Sequence, residues 1–348
     1  MSEGSVVKDE LDDRKAAILR SVVTGYVETA QPVGSSQVAR DASIDVSSAT
    51  IRADMAALER DGYLSHPHTS AGRVPTDKGY RFYVDHLSAP LRLGETKQEQ
   101  VQEFFSRAHN EIEQMLSDTS RLLVELTDCA AVVVSPDHEK LVIRSALLTR
   151  LSARTALLII VLSNGAVDKQ AISVSEESLD EDIEAASNVI HQQLAGQALG
   201  HIDLSGGDLA ANGRSGIGQL LEECHHALDR RTQPESASDQ VYVGGTSRMA
   251  ERFQAVQQVQ AVLSILEQSF IVVGILREVL AQGHSVSIGT ENRLQPLSEC
   301  SLVAAPFESD GEGIGTVAIL GPTRMDYPQA LAAVALVGQR LSRQLQLG

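Results

Sequence analysis

Apolar residues recur at helical spacing over the first sixty residues and are interrupted by polar, turn-forming segments. The first stripe predicts an amphipathic helix beginning near Leu11 and consists of Ile18, Leu19, Val22, Val23, Tyr26 and Val27. Pro32 and Gly34 end this helix, because proline removes a backbone donor and glycine supplies the turn. A second helix follows from Ser35 or Ser36, either of which can cap its first turn.

The third predicted helix begins at Ser47 after a short break at residues 42–45, a spacing that suits a helix-turn-helix. Ile51, Met55 and Leu58 lie at i, i+4 and i+7 and must face the core. The first two turns carry small, hydroxylated or cationic residues on the opposite side: Ser48, Ala49, Thr50, Arg52 and Ala53. Such side chains suit a close approach to base edges and phosphates in a major groove.

A β-hairpin with a basic return strand is predicted directly after the third helix. The outgoing strand starts at Tyr63, Thr69 to Gly72 form the tip, and Arg73 to Pro75 return along an edge, where proline is tolerated. Helix, turn, recognition helix and wing together predict a winged helix-turn-helix DNA-binding domain over residues 1–88.

The hydrophobic period changes in the rest of the chain. A linker and a long helical pattern occupy residues 89–127, and β-rich runs with turn signals between them then predict an antiparallel meander. An acidic, helical and glycine-rich block at 176–239 interrupts the strand pattern like an inserted subdomain. The expected class is α+β, with residues 128–175 and 240–348 forming one split domain.

The composition suits a globular protein of a reducing compartment. Of the 348 residues 43% are hydrophobic, and the longest apolar run, Ala156 to Leu162, is too short to cross a bilayer. Cys129, Cys224 and Cys300 are far apart and in no metal-ligand spacing. The polar N-terminus does not resemble a signal peptide, so a cytoplasmic location is expected, without a membrane partner.

The net charge of −17 is unusual for a protein that binds DNA. Residues 1–90 carry 10 Lys and Arg against 13 Asp and Glu, whereas residues 91–348 carry 19 against 33. Over residues 62–84 the balance is +2. The acidic remainder weakens non-specific attraction to phosphates, so DNA binding is expected on one focused surface.

The segment from Thr69 to Arg81, TSAGRVPTDKGYR, resembles a motif of the HrcA family of heat-inducible transcription repressors. Five further segments agree with that family: Glu28–Ser35, Ser48–Arg52, Val241–Thr246, Ile288–Asn292 and Gly321–Tyr327. The matches span about residues 11 to 345 and so cover nearly the whole chain. One departure is Ser48, where the family often has proline; serine is compatible with a first helical turn and adds a hydroxyl.

The resemblance implies a winged-helix domain, a GAF-like domain and an inserted dimerising subdomain, the last over residues 176–239. It also implies a homodimer that binds an inverted-repeat operator in double-stranded DNA ahead of chaperonin genes. A GroEL-type chaperonin would maintain the active form, and heat stress would abolish repression. Such a protein is not an enzyme, requires no cofactor and acts in the cytoplasm, at the nucleoid when bound to DNA.

A fourth helix is predicted after the wing and is capped by Thr76 or Asp77. The expected DNA contacts lie on the second to fourth helices and on the wing: Ser36, Gln37, Ser47, Ser48, Thr50, Arg52, Thr69, Ser70, Arg73, Lys78 and Arg81. Arg52 is the expected base reader, and the alternative is a solvated helix arginine. Arg73 and Lys78 are expected to hold phosphates, or else to be ordinary wing-surface residues. Thr69 and Ser70 either touch the DNA backbone or minor groove, or merely build the turn.

Other motifs favour structural roles. Glu222 to His226 resemble a ligand cluster, but adjacent histidines on a helix point about 100° apart, which favours a polar helix face over a metal site. The glycine-rich stretch from Ser205 to Gly218 lacks the Gly-Lys-Ser/Thr of a phosphate loop. Gly321 to Tyr327 either turn into the last helix or line a pocket. No catalytic motif is present, and a GAF-type sensor gated by a small molecule is the main alternative to a chaperonin-controlled repressor.

Overall fold

A computed structural model of the chain shows a mixed α+β architecture. The described residues are 11–41, 44–67, 72–88, 91–107, 112–135, 141–163, 167–176, 178–202, 215–231, 241–248, 256–281, 283, 285–309 and 312–347. Their α-helices are α1 (Asp13–Thr29), α2 (Ser35–Val38), α3 (Ser48–Arg60), α4 (Asp77–Asp85), α5 (Glu95–Ser106), α6 (Ile112–Thr127), α7 (Asp180–Leu194), α8 (Ser215–Arg231), α9 (Val256–Leu266), α10 (Ser269–Ala281) and α11 (Tyr327–Leu347). Their strands are β1 (Leu64–Ser65), β2 (Val74–Pro75), β3 (Ala130–Val134), β4 (Ile143–Ser152), β5 (Thr155–Leu162), β6 (Val167–Ser173), β7 (Val241–Gly244), β8 (Val286–Ile288), β9 (Cys300–Ser309) and β10 (Glu312–Pro322).

Capping residues set the starts of the first helices. The Asp12 side chain accepts a 2.8 Å hydrogen bond from the Lys15 amide and begins α1. Ser47 does the same for α3 through the Thr50 amide, as the sequence predicts. The start of α2 differs from the prediction, because Gly34 holds its N-cap position and no side chain caps it. This four-residue helix therefore depends on its packing against α3.

Helices α1, α2 and α3 enclose the first part of a continuous hydrophobic core. Its fully buried members in these helices include Ile18, Leu19, Val22, Val38, Ile51 and Leu58. Full burial of each such aliphatic side chain contributes about 1.5–3 kcal/mol. At the edge of this core, Arg14 donates a 2.8 Å hydrogen bond to Asp54 and joins α1 to α3.

The five-stranded sheet has helices on both of its faces. Its strand order is β7-β3-β10-β9-β8, and every neighbouring pair is antiparallel. On β3, Ala131 and Val133 face the core that also contains α6, α11 and the N-terminal helices. Ala130, Val132 and Val134 point the opposite way, into a second core with α9 and α10. Burial on both faces explains why β3 is apolar at every position.

A separate three-stranded sheet forms in the region where the sequence predicts part of the split domain and the insertion. Among the described strands, β4, β5 and β6 pair only with one another, and their inner face packs on α7 and α8 in a core of its own. The sequence predicts these strands within the split domain and an insertion over residues 176–239. Leu141 is the first residue of the hydrophobic core beneath this sheet. Strand β5 is almost as apolar as β3 although it lies in the other sheet, so the residues of a strand do not show which sheet it joins.

The long helical pattern predicted within residues 89–127 is divided into two helices, α5 and α6. In the C-terminal part of the chain, α9 and α10 also follow each other closely. Residues Val259–Leu266 and Ile271–Ala281 are bent by 88° relative to each other. Among the described residues, no single helix is long and apolar enough to span a membrane. The two segments of this bent pair reach that length and apolar composition only when they are taken together.

Gly79 in α4 approaches the backbone that follows α3 too closely for a side chain. An alanine Cβ at this position would lie 2.3 Å from the carbonyl oxygen of Tyr63. We expect Gly79→Ala to lower the free energy of unfolding by about 3 kcal/mol, because α4 must move away. Gly218→Ala in α8, where a Cβ meets nothing within 4 Å, should stabilise by about 0.5–1 kcal/mol. Urea-unfolding midpoints measure both changes, and equal midpoints for the two variants would contradict this packing.

Candidate nucleic-acid interface

Helix α3 buries one side and exposes the other. Ile51, Met55 and Leu58 lie in the core, and Asp54 is buried on the same side of the helix. The residues exposed on the opposite side are Ser48, Ala49, Arg52, Ala53 and Arg60. Because small side chains dominate the first two turns, the helix backbone can approach another molecule closely there.

Hydroxyl groups gather where α2 and α3 begin. Ser35 Oγ and Ser48 Oγ are 3.2 Å apart, so the first turns of the two helices touch. Ser47 Oγ lies 2.9 Å from Thr50 Oγ1 and accepts a 3.2 Å hydrogen bond from the Thr50 amide. This cluster adjoins the N-terminus of a 13-residue helix, where the backbone dipole favours anions such as phosphate.

Arg52 is exposed in the middle of this surface. Among the described residues, its guanidinium has no hydrogen-bond or ion-pair partner. Ser36 and Gln37 are exposed on the adjoining α2. Arg40, two residues after the end of α2, is a further exposed arginine that the sequence pattern does not single out, because it lies outside the helix and has no position in a periodic pattern.

The short hairpin of β1 and β2 is tied to α3 by Arg73. Arg73 Nε donates a 2.8 Å hydrogen bond to Glu59 Oε2, and its Nη1 lies 2.9 Å from His66 Nδ1. The Arg73 backbone also pairs with Val33 after α1. The predicted phosphate ligand thus holds three segments together, while the tip residues Thr69 and Ser70 lie outside the described residues.

Lys78 is likewise engaged within the protein. Its Nζ donates a 3.2 Å hydrogen bond to the carbonyl oxygen of Asp61, just past the end of α3. The same ammonium group lies 4.3 Å from the centroid of the Tyr63 ring. A cation at the C-terminus of α3 complements the negative end of the helix dipole. Lys78 therefore stabilises the C-terminal end of α3, the candidate recognition helix.

Arg81 points toward the C-terminal sheet. Its Nε donates a 2.9 Å hydrogen bond to Glu291 Oε1, its Nη2 donates a 2.9 Å bond to the Val286 carbonyl, and Nη2 also pairs with Glu291 Oε2. Burial acts to lower the pKa of Arg81, but the hydrogen bonds and negative charges of Glu291 and Asp85 together outweigh it, so the pKa is raised. The structure thus gives this predicted DNA contact a partner inside the chain, and Arg81 is left out of the interface proposed below.

A polar cavity of about 330 Å³ lies beside Arg81. Ser287, Glu291, Asn292 and Arg293 are among its lining residues. The Asn292 amide group donates to the carbonyl oxygens of three other residues, whereas its Oδ1 is buried with no hydrogen-bond partner in the described part of the chain. A buried acceptor of this kind costs about 1–3 kcal/mol when it is left unpaired.

The remaining motifs have structural surroundings. Tyr327 donates a 2.7 Å hydrogen bond to the Thr323 carbonyl and lies 2.7 Å from Ser301 Oγ, and residues 323–326 turn from β10 into α11. Burial, with a smaller contribution from the neighbouring Glu223, raises the pKa of the Cys224 thiol to about 12. Within the described ranges, no group of three His, Cys, Asp or Glu side chains is placed to hold a metal ion.

Comparison with known proteins assigns the chain to a family. Residues 113–331 match the family model described as HrcA protein C terminal domain. The "Heat-inducible transcription repressor HrcA" of Symbiobacterium thermophilum is 35% identical over 340 residues, which cover 97% of this chain and 99% of the relative. The protein of the same name from Moorella thermoacetica is 34% identical over 345 residues, covering 97% and 98%.

One solved structure shares the fold over nearly its whole length. It is described as a hypothetical protein at 2.2 Å resolution and superposes with a TM-score of 0.64 at 23% identity, covering 97% of this chain and 99% of the other. That likeness concerns the fold alone, whereas the full-length sequence relatives are named as transcription repressors. The chain therefore belongs to the HrcA family of heat-inducible transcription repressors.

Proposed function

We propose that the protein represses transcription by binding an inverted-repeat operator in double-stranded DNA as a homodimer, with the α3 helices in the major groove. The observation that carries this proposal is the exposed face of α3, where Arg52 has no partner among the described residues and small side chains surround it. Helices α1 to α3 then form the helix-turn-helix, and the β1–β2 hairpin forms the wing.

The proposed contacts divide into two groups. Arg52 reads a base edge, and the other members of the α2–α3 surface hold phosphates: Ser36, Gln37, Ser47, Ser48 and Thr50. Thr69 and Ser70 at the hairpin tip are proposed to touch the DNA backbone or the adjoining minor groove. Arg73 and Lys78 act mainly by holding the hairpin and the end of α3 in place, since their cationic groups have protein partners.

The acidic remainder of the protein makes specific contacts decisive. With a net charge of −17, the chain as a whole is repelled by DNA, so the α2–α3 surface must supply the attraction locally. Non-specific binding to phosphates should therefore be weak and strongly salt-dependent. A repressor with these properties would act in the cytoplasm, at the nucleoid when bound to its operator.

The outer face of the three-stranded sheet is the proposed dimer interface. The face opposite α7 and α8 carries an apolar row of partly or fully exposed side chains: Leu147, Leu157, Ile159, Val161 and Val167. Leu147 is 51% exposed and Val167 is 50% exposed, although both lie on strands. A second copy, related by a twofold axis through β5, would set this row against itself and match the symmetry of an inverted repeat. The dimerising unit is thus proposed to include β4 to β6, beyond the predicted range 176–239.

Heat control is proposed to act through partial unfolding of the same molecule. The described residues form three hydrophobic clusters, and loss of any one would expose apolar surface of the kind that a chaperonin binds. A GroEL-type chaperonin would refold such molecules to the operator-binding form, and warming would lower the fraction of the repressor in that form. The regulated genes would then include the chaperonin genes themselves.

A sensor gated by a small molecule is the second candidate. The polar cavity beside Arg81 and the unpaired, buried Asn292 Oδ1 favour it. This candidate would be distinguished by a saturable rise in the melting temperature with a metabolite, together with heat recovery that does not depend on chaperonin.

Arg52→Ala is expected to weaken operator binding by about 10-fold or more and to reduce the preference for operator over scrambled DNA, because a base contact is lost. Arg343→Ala is the matched control, since it removes an exposed arginine from α11, outside the N-terminal unit. Gel-shift titrations on both DNAs measure the two dissociation constants. Operator binding by Arg52→Ala equal to that of the Arg343→Ala control would refute the assignment.

Leu147→Asp is expected to shift the protein from dimer to monomer, with a dimer dissociation constant raised by about 10-fold or more, because the interface would bury an unpaired charge. Folding of the monomer should change little, since the side chain is half exposed. Leu294→Asp is the control, an exposed leucine outside this sheet. Sedimentation velocity over a concentration series measures the distribution, and a dimer that is as stable in Leu147→Asp as in the control would rule out this face.

Operator affinity lost on mild heating is expected to recover more completely with a GroEL-type chaperonin and ATP than without them. The reason is that the chaperonin binds exposed apolar surface and limits aggregation during refolding. Chaperonin without ATP serves as the control. Equal recovery in all three samples would show that the proposed heat control is incorrect.

A further inference from the structure

Helix α4 meets the C-terminal sheet through a set of charged hydrogen bonds. Asp77 Oδ2 accepts 2.9 Å hydrogen bonds from both the amide and the hydroxyl of Thr290. One turn further along α4, Arg81 pairs with both carboxylate oxygens of Glu291. We call these four residues the α4 junction. Fork-shaped pairing of arginine with a carboxylate fixes direction as well as distance.

The sheet side of the junction is arranged in advance. The Glu291 carboxylate also accepts a 2.8 Å hydrogen bond from the Ile288 amide, which orients it toward α4. Gly289 has a φ of +54°, and a Cβ there would lie 2.3 Å from Asp77 Oδ2. Only glycine allows this approach without strain. The turn after β8 is therefore shaped to receive the first turn of α4.

Packing beneath the junction is equally close. The rings of Tyr80 and Tyr327 have their centroids 5.7 Å apart, and both tyrosines are buried. The Tyr80 hydroxyl has no hydrogen-bond partner among the described residues. Its burial raises the pKa of Tyr80, with a smaller contribution from Tyr327. A buried hydroxyl without a partner is unfavourable, so the Tyr80 hydroxyl does not orient α4 on the sheet. The hydrogen bonds of the α4 junction supply that orientation.

Two of the segments singled out in the sequence meet at this point. The second half of the Thr69–Arg81 motif supplies Asp77 and Arg81, and the Ile288–Asn292 motif supplies Thr290 and Glu291. They are more than 200 residues apart in the chain. Neither pair lies on the exposed face of α3, so base contact does not account for them.

From this geometry we infer that Asp77, Arg81, Thr290 and Glu291 are positioning residues that set the distance and angle between the two recognition helices of the dimer. The inference rests on the proposed function. Gly79 and Lys78 hold α4 against the segment after α3, so a change in the orientation of α4 also changes the orientation of α3. A dimer whose DNA-binding units are held rigidly accepts one spacing of half-sites, because both units must dock at once.

The test compares operators whose two half-sites are separated by different spacers. One variant opens the junction from α4 (Asp77→Ala with Arg81→Ala), and another opens it from the sheet (Thr290→Ala with Glu291→Ala). Tyr80→Phe is the control, since it removes only the unpaired hydroxyl and leaves the four polar residues in place. Binding to a single half-site and the melting temperature are measured for each protein, together with dissociation constants for spacers changed by two and by five base pairs.

We expect wild type and Tyr80→Phe to lose about 100-fold in affinity when the spacer is wrong, which is the gain from simultaneous docking. In both open variants a wrong spacer should lower the affinity by less than about threefold. Their affinity for a single half-site should stay within about twofold of the wild-type value. Either folded variant is sufficient for the comparison. Wild-type spacing profiles in the open variants would overturn the inference. A wild-type protein that binds the inverted repeat no better than one half-site would instead refute the proposed function.

Discussion

The packing of α4 between two surfaces is the constraint on which the rest of the structure depends. On one side Gly79 lies against the backbone after α3, and on the other Tyr80 lies against Tyr327. Because no side chain fits at Gly79, the position of α3 follows that of α4. The N-terminal helices and one face of the five-stranded sheet consequently belong to a single continuous core. Any movement of α3 relative to the sheet must disturb that core or the charged contacts at its rim.

The positive charges of the N-terminal unit serve different purposes, although they look alike in the sequence. Arg73 and Lys78 hold the hairpin and the end of α3, whereas Arg81 reaches the sheet. Arg52 lacks such a partner among the described residues. An arginine that is already paired within the protein has less to gain from a phosphate, since the existing hydrogen bonds must first be broken. This difference is the reason for centring the proposed interface on Arg52.

The two sheets differ in how many of their faces are covered. The five-stranded sheet carries helices on both faces, and its strand β3 is buried at every residue. Among the described elements, helices cover only one face of the three-stranded sheet, and Leu147 and Val167 are exposed on its strands. An apolar sheet face of this kind marks an interaction surface more readily than scattered apolar residues do. It gives the proposed homodimer a location that agrees with a twofold operator.

The sequence by itself determined the helix start at Ser47, the buried stripe of α3, the α+β class and the family. These features depend on neighbours within a few residues, or on motifs that can be compared directly. Only the tertiary structure decided that β4 to β6 form their own sheet and that Arg81 pairs with Glu291. Strands β3 and β5 are both almost wholly apolar although they join different sheets, and an arginine's partner can lie anywhere in the chain. Both are settled by contacts between residues far apart in sequence, which local pattern does not specify.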